Sequence, residues 1–296
     1  VACYRPLTGY RSRTIGASGR RGLVFSRGKA FSGIEIKIPC GVCVGCRKER
    51  ARQWAIRCMH EASLHNENCF VTLTFHDKYL PKNLSVDVRD LQLFLKRLRK
   101  RSDKKIKYYA CGEYGDRYGR PHYHLLIFGR DYRTKGGMDV SDEMVKAWSD
   151  PKTGEEYGMI CIGDVTFGSA SYVAKYIMKK RLGGESKNNY VMDGDEIIME
   201  RKPEFVVMSR GRNKGEGIGA GWFKKYGNEM YMDRVRAPKY YDELLGMENP
   251  EKLEKIKWER MVEGIKRRED NTRDRLIDKD QVARAKENLY NNRRIE

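Results

Sequence analysis

The sequence predicts an α+β fold: a ferredoxin-like, β-α-β-β-α-β antiparallel sheet with helices packed on one face. Three observations predict it. Between Cys69 and Thr166, strand-like and helix-like apolar patterns follow one another in that order. The middle pair of strands is separated only by the turn-rich segment Gly115–Pro121, a hairpin signal. The chain has 296 residues and is 40% hydrophobic, enough for a real core.

Residues 1–34, rich in Gly, Ser and Arg, read as an irregular basic arm. Arg47–Leu64 contains no Gly or Pro and predicts a helix with a basic first half. Cys69–Phe75 is β-branched and aromatic, hence a strand. Asp87–Arg101 sets Val88, Leu91, Leu95 and Leu98 at helical spacing, with Lys and Arg opposite. Ile106–Tyr114 and His122–Phe128 form the hairpin. Ser141 is placed to cap a short helix reaching Trp148. Met159–Thr166 reads as the last strand, and Ser169 or Ser171 opens a helix through Lys180. Tyr190–Val207 suggests a further hairpin, Arg210–Gly221 a Gly-rich basic loop, and Glu251–Arg294 a charged helical tail. The expected division is 1–66, a basic arm with a Cys cluster and helix; 67–245, the catalytic domain; and 246–296, the tail.

Charge narrows the partner. Lys and Arg outnumber Asp and Glu by 60 to 41, a formal +19, which points to a polyanion and most simply to nucleic acid. Residues 1–57 hold thirteen Lys or Arg against Glu35 and Glu49, whereas the chain from Met247 on carries fourteen basic and twelve acidic residues. The N-terminal region is thus the expected electrostatic footprint. No run of eighteen apolar residues occurs, which argues against an apolar membrane-spanning helix, and the first residues carry no secretory h-region.

Of eight cysteines, Cys58, Cys69, Cys111 and Cys161 are expected in the core. Cys40-x2-Cys43-x2-Cys46, with Cys3 as a possible fourth ligand, suits tetrahedral zinc; the same spacing also suits iron–sulfur ligation, or a turn shaped by Gly41 and Gly45. Arg47, Lys48, Arg50 and Arg52 begin the following helix, where they can meet DNA phosphates. Arg210, Arg212 and Lys214 are candidates for the same contact from the Gly-rich loop. That loop lacks the Gly-Lys-Ser/Thr ending of a P-loop.

Two constellations carry chemistry. His122 and His124 alternate along a strand, so both imidazoles face one way. Glu113, in the paired arm of the hairpin, is placed as a third ligand, and this set with open positions suits Mg²⁺ or Mn²⁺ in phosphate chemistry. Tyr172 and Tyr176 share a helix face, with Lys175 beside them. A tyrosine can attack phosphorus if a metal polarises the phosphate and a cation stabilises the developing charge.

Paired histidines followed by a Tyr–Lys–Tyr helix resemble the HUH endonuclease superfamily. Four stretches narrow the likeness: Cys40-Gly-Val-Cys-Val-Gly-Cys through Arg57, Phe70-Val-Thr-Leu-Thr-Phe75, Tyr109-Ala-Cys-Gly-Glu-Tyr-Gly115 and Gly119-Arg-Pro-His-Tyr-His-Leu125. In this order they resemble the replication initiators of small single-stranded DNA bacteriophages, the gokushovirus-type microviruses above all. The resemblance runs from about Cys3 to Gly221. It implies an HUH-type sheet, His122, His124 and Glu113 as metal ligands, Tyr172 and Tyr176 as paired nucleophiles, and Lys175 as the lysine between them. It further implies origin nicking with a covalent 5′ phosphotyrosine, rolling-circle synthesis from the free 3′ hydroxyl, a second cut by the other tyrosine, and resealing by the 3′ hydroxyl that this cut releases. The implied partners are single-stranded and origin DNA and host replication proteins, in the cytoplasm of a bacterial host. The competing class is a non-catalytic nucleic-acid-binding sheet, which expects aromatics in an RNP pattern that this sequence lacks; a plasmid relaxase is the alternative within the enzyme class.

Overall fold

The computed structural model describes residues 3–16, 19, 21–115, 118–134, 139–179, 190–193, 196–211, 216–232 and 236–292, with no side chain described at 175–179, 190–193, 196–199 or 290–292. Cα packing divides the chain into two compact units, Val1–Glu49 with Ile256–Glu296, and Arg50–Lys255.

In the larger unit, four strands β4 (Asn68–Leu73), β5 (Lys107–Tyr114), β6 (Pro121–Phe128) and β7 (Ile160–Gly163) and a fifth, β10 (Phe205–Met208), form one sheet in the order β10-β5-β6-β4-β7. The numbering counts β1 (Leu7–Ile15), β2 (Arg21–Val24) and β3 (Ile36–Ile38) upstream, and β8 (Tyr190–Asp193) and β9 (Glu196–Glu200), which pair as a separate hairpin. Every pairing in the five-stranded sheet is antiparallel. The domain is therefore mixed α+β with antiparallel sheets, as expected.

Helices lie on both faces of this sheet, not on one. Period-2 alternation sends Val71, Leu73, Ala110, Tyr123, Leu125 and Ile127 to one face, where α2 (Val88–Arg101) and α3 (Asp142–Ala147) contribute Leu91, Phe94, Leu98, Met144 and Ala147. Tyr109, Cys111, Leu126 and Phe128 point the other way, against α1 (Val44–Ala62) and α4 (Phe167–Lys179), which supply Ala55, Cys58, Ala170, Val173 and Ala174. The second layer escapes the β-α-β-β-α-β pattern because α1 precedes it and α4 follows it. Small residues on these two helices let them approach the sheet closely.

Helix starts follow local chemistry. Asp87 caps α2, its carboxylate accepting from the Arg89 N–H at 2.8 Å. Ser141 holds the N-cap position of α3, but its hydroxyl makes no capping bond and its carbonyl accepts from the Met144 N–H. Neither Ser169 nor Ser171 opens α4. Thr166 does: its Oγ1 accepts from the Ser169 N–H at 3.1 Å, while Ser169 Oγ accepts from the Thr166 N–H at 2.8 Å, a reciprocal cap. The expected hairpin over Tyr190–Val207 resolves into β8–β9 and the edge strand β10. Three helices follow: α5 (Ala220–Tyr226), α6 (Lys239–Glu248) and α7 (Pro250–Lys266).

In the smaller unit, the expected irregular basic arm instead contains an antiparallel sheet, β2-β1-β3. Its strands bury only Gly9 and Ser12, so no alternation of buried apolar side chains announces them. The last helix, α8 (Arg273–Asn292), belongs to this unit, where Asp280 is buried and receives Arg5 at 2.8 Å and Arg284 at 3.1 Å. Among the described residues, no helix is long and apolar enough to cross a membrane.

Candidate active site

The register of β5 with β6 sets Glu113 opposite His122 and Cys111 opposite His124. His122, His124 and Glu113 thus share the face of the sheet that α4 covers. The two imidazoles stand nearly parallel, 6.4 Å between ring centroids. His122 Nδ1 donates to the Arg120 carbonyl at 2.7 Å, and a carbonyl can only accept, so Nε2 keeps its lone pair. Burial and the neighbouring His124 lower the His122 pKa, against the Arg120 carbonyl and Glu113, which raise it. The ring is therefore neutral at neutral pH, as ligation requires.

His124 is held from both sides. Its Nε2 lies 2.6 Å from Glu113 Oε1, and its Nδ1 lies 2.9 Å from the Thr72 hydroxyl. With Nε2–H donating to the carboxylate, Nδ1 accepts from Thr72. Phe70 stacks on the same ring, centroids 5.8 Å apart. Thr72 and Phe70 did not stand out as site residues, because Thr and Phe in a strand read as ordinary β-formers. The alternation Phe70-x-Thr72 on a strand beside the histidine strand was the available signal, and Thr72 pairs with His124 in register.

Tyr172 reaches this cluster from α4. Its hydroxyl donates to Glu113 Oε1 at 3.1 Å, and its ring meets His124 edge-on at 5.1 Å. One carboxylate oxygen thus accepts from both the histidine and the tyrosine. The other, Oε2, is buried with no hydrogen-bond partner among the described residues. An orphaned carboxylate oxygen costs a few kcal/mol in a protein interior unless a cation or water meets it. His122 Nε2 and this carboxylate oxygen are the donors left open to a cation, while His124 Nε2 is held by Glu113 Oε1. Lys175 and Tyr176 lie on α4, but their side chains are outside the described residues.

The four thiols converge in the smaller unit. The sulfurs of Cys3, Cys40, Cys43 and Cys46 all lie within 4.8 Å of one another, so this four-cysteine cluster is able to hold a metal ion. Tetrahedral Zn–S bonds of about 2.3 Å imply S···S near ~3.8 Å; Cys3 and Cys43 sulfurs are 4.0 Å apart. Gly41, at φ +79°, makes the turn that brings Cys40 back toward Cys43. Backbone N–H groups of Tyr4 and Cys46 donate to Cys43 Sγ at 3.4 and 3.5 Å. Burial raises the Cys43 pKa, but these donors and the neighbouring thiols outweigh it, bringing it to about 7. Burial pushes Cys3 and Cys46 up. Cys58, Cys69 and Cys111 are fully buried as expected, whereas Cys161 is exposed because β7 is an edge strand.

The candidate DNA contacts have different surroundings. Arg47 pairs with Glu287 at 3.1 Å. Lys48 is exposed, Arg50 and Arg52 are half-buried, and Arg52 donates to the Arg236 carbonyl at 2.9 Å. Arg210 is exposed; Arg212 and Lys214 lie outside the described residues.

Comparison with known proteins places the chain. A family model described as a replication-associated protein of the ORF2 type matches residues 68–181, from β4 to the end of α4. The chain is 30% identical over 277 residues to replication-associated protein VP4 of Bdellovibrio phage phiMH2K, covering 84% of this chain and 79% of that protein. It is 29% identical over 228 residues to replication-associated protein ORF2 of Spiroplasma virus 4, covering 69% and 66%. With replication-associated protein ORF4 of Chlamydia phage 1 it shares 32% over 164 residues, covering 50% and 39%. No solved structure matches. The chain belongs to the Rep family of phage replication-associated proteins.

Proposed function

We propose that this chain is a rolling-circle replication initiator of the HUH type: a metal-dependent endonuclease and strand transferase that cuts origin DNA through tyrosine. In this reading the five-stranded sheet is the ferredoxin-like HUH core. The observation that carries it is the Tyr172 hydroxyl on Glu113 Oε1, the oxygen that also holds His124. A packing tyrosine needs no carboxylate, and a buried carboxylate needs more partners than this one has.

His122, His124 and Glu113 would hold Mg²⁺ or Mn²⁺, which when bound polarises a phosphate. Tyr172 Oη attacks phosphorus, and Glu113 is placed to take the phenolic proton. The P–O3′ bond breaks, the 3′ oxygen takes up the proton that Glu113 received and leaves as a hydroxyl, and the 5′ phosphate stays on the tyrosine. Lys175 supplies positive charge to the transition state, and Tyr176, one turn along α4, cleaves the regenerated origin, whose released 3′ hydroxyl attacks the Tyr172 phosphoester, frees that tyrosine and reseals the circle. The four-cysteine cluster holds zinc and orders the N-terminal unit. Single-stranded and origin DNA are the substrates, met in the bacterial host's cytoplasm alongside host replication proteins.

The test is incubation of the protein with supercoiled and single-stranded viral DNA plus Mn²⁺. Nicked circles carrying protein through denaturation are expected. DNA that is bound yet never cut in either metal overturns the reading.

A further inference from the structure

A basic cleft opens at the opposite end of the sheet from Glu113. Lys107 pairs with Phe128 at one end of the β5–β6 ladder and Glu113 with His122 at the other. Six residues of strand separate Lys107 from Glu113, about 20 Å. The cleft, of about 970 Å³, is lined by residues from Arg99 to Lys107, by the segment after β10 and by α5.

Six of its lining residues are Lys or Arg, against Asp103 and Glu216. Lys104 and Lys107 are engaged by Glu67 and Glu61, each at 2.8 Å, and Asp103 pairs with Arg130. Lys105, Arg210 and Lys224 have no carboxylate partner among the described residues, and Arg99 lies over the Tyr108 ring at 5.2 Å. The wall bearing Arg210 is fixed: the Ser209 N–H donates to the Tyr108 carbonyl at 2.9 Å, and the Tyr108 N–H donates to Ser209 Oγ at 3.0 Å. Cations gathered in a concave surface repel one another and focus a positive potential on whatever enters.

We propose that this cleft is a second DNA-binding site, one that grips the sugar–phosphate backbone of duplex DNA. The choice of ligand follows from what the lining lacks. No aromatic side chain is among the described residues lining it, whereas single-strand sites stack bases on aromatics. Ile106 is the one large apolar side chain there, too little for the buried anchors on which a protein partner depends. Phosphates need neither. The inference goes beyond the cutting site and rests on the replication reading only in taking DNA as the polyanion.

The test uses the full chain with Lys105→Gln and Lys224→Gln combined, and a second double variant with Glu at the same positions. Binding of a labelled duplex is followed by anisotropy across salt, and cutting is assayed on single-stranded DNA. Each lost phosphate contact removes about 0.9 from the slope of log K against log [salt]. The Gln double variant is expected to lower that slope by roughly 2 and duplex affinity about tenfold, with single-strand cutting and melting temperature unchanged. The Glu double variant is expected to weaken duplex binding further. Unchanged duplex affinity and slope overturn the proposal. So does stronger competition by poly-glutamate than by duplex at equal charge, which marks an acidic-protein site. If the unaltered protein cuts nothing, the proposed function fails while the duplex arm still decides the cleft.

Discussion

Two groups of ligating side chains lie in different compact units of this chain, and they are built on opposite principles. Around Cys3, Cys40, Cys43 and Cys46, four sulfurs face one another and backbone N–H groups point at them. Such a set closes on a tetrahedral ion and leaves no position for a substrate. Around Glu113, the ligand types are mixed, one carboxylate oxygen is unsatisfied, and a tyrosine hydroxyl from another element touches the cluster. A closed set contributes folding energy; an open set is able to do chemistry. In the proposed reading the thiols have the structural role and the histidines the catalytic one.

The sharpest break of that contrast is at His124. His124→Ala is expected to lower DNA cutting by about a thousandfold or more, the scale of several kcal/mol of transition-state stabilisation. DNA affinity, which rests on basic residues, is expected to hold within a few-fold. His122→Ala, at a less buried position, serves as the companion variant. Cutting by both at near-normal rates in Mg²⁺ or Mn²⁺ would remove the catalytic assignment.

The thiol site is expected to respond in the opposite sense. Cys43→Ser should lose bound metal and lower the melting temperature by several degrees, because binding energy at a structural site is folding energy. Single-strand cutting at low temperature should fall far less than in His124→Ala. Elemental analysis of protein purified without chelators is expected to find about one zinc per chain; neither zinc nor iron contradicts this.

A smaller effect is expected at Thr72. Thr72→Val keeps the shape but removes the hydroxyl 2.9 Å from His124 Nδ1. Loss of such an orienting partner typically costs 10- to 100-fold in activity or metal affinity. Kinetics at varied Mn²⁺ should show weaker metal dependence with little change in melting temperature. An unaltered Mn²⁺ profile would mean that Thr72 only packs.

The smallest effect lies outside both clusters. His60 is stacked on Trp222, centroids 3.5 Å apart, and burial lowers its pKa to about 4. The unfolded chain takes up this proton near the ordinary value of about 6.5. Stability from this group is therefore complete above about pH 6.5 and is lost as pH falls toward 4. Because the ring is only half-buried, the loss is of order 1–2 kcal/mol. Urea titrations from pH 7 to 4 should show it, and His60→Gln should flatten that slope; an unchanged slope contradicts the assignment.

Much of the His122–His124–Glu113 cluster was legible because strands repeat every two residues. That period alone puts His122 and His124 on one face and makes Glu113 a cross-strand neighbour. The helix carrying Tyr172 was legible too, but not which face of the sheet it covers, since that depends on packing between residues distant in sequence. Thr72 and Phe70 were hidden because a second layer of support uses common strand residues. The N-terminal sheet was hidden because its strands bury almost no apolar side chain. Cys161 was misplaced because apolar strand composition does not distinguish an edge from a centre. The four thiols, by contrast, could be read from spacing, except that Cys3 joins from far along the chain and only folding shows it within reach.

The most direct measurement of the central claim is the location of the covalent bond to DNA. Protein is reacted with single-stranded viral DNA and Mn²⁺, digested, and the nucleotide-bearing peptide sequenced by mass spectrometry. The account predicts the adduct on Tyr172 or Tyr176, its persistence on Tyr176 in Tyr172→Phe, and its absence when both are Phe. An adduct on another tyrosine, or one that survives in the double variant, contradicts it.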